Sequence, residues 1–152
     1  MKRVALPLLI AIGLLATASF AQASDAGLRR ALRPYRARLT TDISYLSNFT
    51  APSKSRTGAA LRRLSKIRGD LGGATRAANL QQASTSSGRK GRTLVLSALH
   101  DASAAAADAR ASALAARSGN RSAARRDARK EQGEINRAIT SFEQGGKLLH
   151  LF

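Results

Sequence analysis

Cysteine and tryptophan are absent from the 152 residues, and the only methionine is Met1. Without thiols there is no disulfide framework, no cysteine nucleophile, no thiolate metal site and no covalently attached haem. Aromatic residues make up 4% of the chain. With β-branched residues also scarce, a sheet protein is disfavoured. Proline occurs three times, and Asp plus Glu nine times against 26 Lys plus Arg. That shortage of acids leaves a formal net charge of +17, so any charge-driven partner is anionic.

Signatures of catalysis are missing too. There is no G-x-S-x-G elbow, no glycine-rich phosphate loop after a strand and no HExxH. His100 and His150 are the only histidines. Nothing in the spacing singles out a pair of catalytic carboxylates. The expectation is a non-enzymatic protein with no cofactor and no metal.

What is plentiful is alanine, 31 residues, and arginine, 20 residues. Both favour helix. Heavy use of both also fits a GC-rich genome, which is a cause of basicity that needs no function.

Residues 1–23 read as a targeting segment. Lys2 and Arg3 form a positive start, and Val4 to Ala18 is an apolar run broken only by Pro7, Gly13 and Thr17. Ala21-Gln22-Ala23 places small residues where a signal peptidase reads them. Cleavage there makes the protein secreted, periplasmic or otherwise held at the cell envelope. The rival is an uncleaved anchor, for which the stretch Val4–Ala21 sits at the lower edge of spanning length. The domain expected from residue 24 to residue 152 carries 24 basic residues against 9 acidic ones. It must fold on packing alone.

Four segments of that domain carry apolar residues at helical spacing. Leu28, Leu32, Tyr35, Leu39, Ile43, Leu46 and Phe49 form one face of a helix over about 25–49, with Pro34 inside it as a kink or restart. Leu61, Leu64, Ile67, Leu71, Ala74 and Ala78 stripe a second helix over about 57–82. Gly69, Gly72 and Gly73 weaken it, or let a neighbour come close. Val95, Leu99, Ala102, Ala106, Ala109, Ala113 and Ala116 stripe a third, over about 90–117. Ala124, Ala128, Ile135, Ala138, Ile139 and Phe142 stripe a fourth, over about 121–144, which Gly145-Gly146 is expected to end. The breaks are Thr50–Ser53, the polar run Ser84–Gly88, and Ser118-Gly119-Asn120, which suits a stop followed by a cap. The apolar tail 147–152 is expected to fold back.

Short breaks between long helices predict an all-α, antiparallel, up-down-up-down four-helix bundle behind the N-terminal signal helix. Its core is thin. Leu, Ile, Val and Phe number 23 after residue 23, close to the level at which a highly charged chain fails to fold. Marginal stability follows.

Two charge patterns stand out. Arg29, Arg33 and Arg36 share one helix face, and Arg117, Arg121, Arg125 and Arg129 recur every four residues. Such ladders suit phosphates on nucleic acid or lipid head groups, or else they are solvated faces. Few aromatics are left for base stacking, so sequence-specific nucleic-acid recognition is not expected. Asp127, Glu131 and Glu134 lie at i, i+4, i+7 on one edge of the fourth segment. They read either as oxygen ligands for a divalent cation or as an edge that receives arginines from a neighbouring helix. The second reading is preferred, because like charges at i, i+4 repel and need cations nearby.

The leading functional expectation is an exported basic helical protein that associates electrostatically with an anionic envelope component or extracellular polymer. One rival is a structural or protein-binding module whose charge is incidental. Another is a membrane-active protein whose amphipathic helices open onto lipid.

Overall fold

A computed structural model describes residues 25–151. The signal segment expected over residues 1–23 lies outside the described residues, as do Ser24 and Phe152. Every regular element among the described residues is helical. We number them α1 (25–32), α2 (Arg36–Ser47), α3 (Thr57–Asn79), α4 (Ser86–Arg117) and α5 (Arg121–Leu148). A 3-10 turn, Arg33–Tyr35, joins α1 to α2, and a second one, Lys54–Arg56, leads into α3.

α1 and α2 form one rod. Pro34 brings no N–H to the helical ladder, and the chain crosses it by tightening to i→i+3 bonding, with Arg36 N–H donating to the Arg33 carbonyl. The rod, α3, α4 and α5 pack together as four helices around one core. On the rod the core takes Leu28, Leu32, Leu39, Leu46 and Phe49. It takes Leu64, Ile67, Leu71, Ala74 and Ala78 from α3. These are the striped positions, with Tyr35, Ile43 and Leu61 packed at the margin.

α4 and α5 make the most extensive contact. Rising numbers on one meet falling numbers on the other. A Cβ at Gly145 would lie 2.9 Å from Val95 and 3.0 Å from the Gly91 carbonyl oxygen. Lys130 pairs with Asp108 at 3.0 Å, and the Ser112 hydroxyl donates to the Ala124 carbonyl at 2.8 Å. The small side chains of α4 permit this closeness. Ala98, Ala102, Ala105, Ala106, Ala109 and Ala113 are all buried. The rod and α3 pair in the same sense, through Tyr35 against Gly73, Arg38 with Asp70 at 3.4 Å and Asp42 with Arg63 at 2.8 Å.

Several helix ends differ from the sequence reading. Ser86, Ser87 and Gly88 belong to α4 rather than to a linker, because Thr85 acts as N-cap and accepts from Gly88 N–H at 2.8 Å. The Asp25 carboxylate holds that cap in place by accepting from the Thr85 hydroxyl and from Ser84 N–H. Gly145 and Gly146 do not end α5. They lie buried inside it, and α5 runs on to Leu148. At Gly145 the absence of a side chain serves the approach to α4 rather than a helix stop.

α3 ends at Asn79, three residues short of the expected bound, while the start of α5 follows expectation. Asn120 caps α5 by accepting from Ala123 N–H at 3.1 Å, and Gly119 turns the chain at φ +82°. Arg92 donates to the carbonyls of Ala78, Asn79 and Gln81, at and just beyond the end of α3. Of the apolar tail, Lys147 and Leu148 continue α5, and Leu149, its C-cap, is buried against Gly91.

Candidate functional site: an arginine-rimmed cavity

The first arginine ladder is the part of the surface where basic residues and an apolar hollow coincide. Arg29 and Arg30 project from α1, Arg33 from the 3-10 turn and Arg36 from the first turn of α2. The steps from 29 to 33 to 36 keep three of them on one side of the rod. All four border a cavity of about 340 Å³, together with Leu32, Leu39, Phe142, His150 and Leu151.

The cavity exists because of how three elements meet. Leu32 and Leu39 are core residues of the rod that reach its wall from below. Phe142 comes from α5. After Leu149 the backbone of His150 turns through a positive φ of 50°, and this brings His150 and Leu151 back to the same opening. The result is an apolar floor under a rim of four guanidinium groups and one imidazole. Among the described residues no acidic side chain lines it. Sequence reasoning singled out Arg29, Arg33 and Arg36. It did not find Arg30, Phe142, His150 or Leu151 as their neighbours, because only the packing of the α5 end against the rod brings them there.

The second ladder is elsewhere. Arg117, Arg121, Arg125 and Arg129 are all exposed around the junction of α4 and α5. Arg121 and Arg125 border a shallow hollow with Pro52, Ser53 and Lys54. Arg121 and Phe142 lie 21 residues apart on one helix, roughly 30 Å along its axis at 1.5 Å per residue. The two ladders are therefore separate patches.

The acidic edge of α5 is arranged differently from the expected row of inter-helix pairs. Asp127 pairs with its neighbour Arg126 at 3.5 Å, and Glu134 pairs with Arg137 on the same helix at 2.7 Å. Glu131 takes no cation among the described residues. It has 0% exposure, and neither carboxylate oxygen has a hydrogen-bond partner among the described residues. The ion pair that does cross from α5 to α4 has its cation on α5, Lys130, and its acid on α4, Asp108. Burial, and then repulsion from Asp108, push the Glu131 carboxyl up to about 7.

The reason is helical phase. Glu131 falls three residues after Ala128 and four before Ile135, so it occupies a core position of the stripe. Asp42 does the same between Leu39 and Leu46. It is 2% exposed, and burial raises its pKa above the ordinary carboxylate value against the opposing pull of Arg63. The 3–4 spacing was the signal that could have found both.

No group of three or more His, Asp or Glu side chains is placed to hold a metal ion among the described residues. No described helix is long and apolar enough to cross a membrane. No family model, no curated protein and no solved structure matches this chain.

Proposed function

We propose that this is an exported, non-enzymatic basic protein, built as an antiparallel up-down-up-down four-helix bundle, that associates with an anionic component of the cell envelope or with an extracellular polyanion. The pairwise contacts of the rod with α3 and of α4 with α5 support the topology, as do the short connections between successive helices. The tie from Asp25 to the start of α4 fits the same arrangement. The apolar run ahead of residue 24 supports export.

One observation carries the binding reading: four arginines and a histidine share one opening with no acidic side chain among the described residues that line it. Elsewhere acids are engaged within the fold. Asp42, Asp70, Asp108, Asp127 and Glu134 pair with bases, and Glu131 is buried. Six of the nine acids are thus engaged within the fold. A field of this sign attracts anions over roughly one Debye length, about 10 Å at 0.1 M salt.

The test is retention on heparin and on vesicles containing anionic lipid, measured as salt is raised. Binding at low salt that is lost by about 0.5 M salt is the expected result. No binding at low salt would refute the proposal and leave a structural module. Vesicle leakage that persists at high salt would refute it in favour of a membrane-active protein.

A further inference from the structure

We propose that the cavity between the rod and the end of α5 takes up a single-chain amphipathic anion, a fatty-acid-like carboxylate, with its head on the arginine rim and its alkyl chain on the apolar floor. The inference rests on the anionic-partner reading and narrows it to one ligand class at one site.

A polyanion needs only a charged surface, and the second ladder offers that. The first ladder offers something more. Leu32, Leu39, Phe142 and Leu151 form an apolar surface beneath Arg29 and Arg33. An inorganic anion or a sugar sulfate would leave that surface unused. A wholly apolar ligand would set nothing against the guanidinium groups. An anion with one alkyl chain satisfies both halves of the site. Arginine suits the head group, because its planar fork donates two parallel hydrogen bonds to a carboxylate. The volume of about 340 Å³ lies at the small end of ligand cavities, which suits one chain rather than a two-chain lipid. His150 stands on the rim, where its ring N–H adds a further donor.

The test uses the whole chain and calorimetric titration with octanoate, decanoate and dodecanoate below their micelle concentrations. Saturable one-to-one binding is expected, tightening by about tenfold for each added pair of methylenes until the cavity is full. The double variant Arg29→Gln/Arg33→Gln is expected to weaken dodecanoate at least tenfold. Arg62→Gln/Arg68→Gln removes the same charge from exposed positions of α3 and should leave it unchanged. Both pairs are exposed or half-buried, and thermal melts followed by circular dichroism confirm that each variant folds. Leu151→Asp, which places an acid on the floor, should abolish binding.

Absence of saturable dodecanoate binding overturns this inference. So does an equal loss in the two double variants, which would mean that only net charge matters. If heparin is retained in either case, the broader polyanion reading stands. If neither heparin nor dodecanoate binds, that reading falls with it.

Discussion

Glu131 makes the stability of the protein depend on pH in a way that can be worked out in advance. Its carboxyl is fully buried and unpartnered, and the Oδ2 atom of Asp108 is likewise buried without a hydrogen bond. In the folded protein Glu131 titrates at about 7, against 4.5 for the free side chain. Between those values the folded protein holds a proton that the unfolded chain has released. Raising the pH therefore favours unfolding across that window. The stabilisation is complete below about pH 4.5, is lost progressively towards pH 7 and stays lost above it. A shift of this size corresponds to about 3 kcal/mol. That is a large share of the stability of a small domain with a thin core.

Glu131→Gln removes the titration while keeping the size of the side chain. The variant should match the parent near pH 4.5 and exceed it by about 3 kcal/mol at pH 8. Urea unfolding followed by circular dichroism at 222 nm reads this directly. With a slope of roughly 1–3 kcal/mol per molar urea, the midpoint should rise by about 1–3 M at pH 8. Asp42 is also raised, so the variant should keep a residual slope of the same sign. If the pH profile of the variant runs parallel to that of the parent, Glu131 is not the titrating group and the reasoning fails.

Further outcomes follow from the packing. Gly145→Ala should destabilise by about 1–3 kcal/mol through overpacking against Val95 and the Gly91 backbone. Gly69→Ala and Gly72→Ala, where nothing lies within 4 Å of the new Cβ, should each stabilise by roughly 0.5–1 kcal/mol in the same urea assay. Arg63→Met should cost about 2 kcal/mol at pH 7, because it leaves Asp42 buried without its 2.8 Å partner. Asp42→Asn in the same background should recover part of that loss, and no recovery would mean that Arg63 acts through packing on Tyr45 instead. Added salt should raise the melting temperature by screening the repulsion of a chain with net charge +17. A fall would show that attractive pairs such as Lys130–Asp108 dominate.

The sequence by itself determined the helices and their buried faces. Leu28, Leu32, Leu39 and Leu46 could face only one way on a 3.6-residue period, and burying that face is the main source of stability open to a chain without disulfides. Pro34 and Asn120 marked a kink or restart and a cap for local reasons of ring geometry and hydrogen bonding. Tertiary structure decided the rest, because it depends on which neighbour each face meets. Gly145 and Gly146, which locally read as a stop, stay helical and buried within α5, and at Gly145 α4 approaches too closely for a side chain. Glu131, which locally read as a member of an acidic edge receiving arginines from a neighbouring helix, is carried into the core by its place in the stripe. The arginines of the rod gain an apolar floor only where α5 ends and the chain turns back at His150. Periodicity fixes which side of a helix is inside, while the meeting of two helices fixes what each inside residue touches.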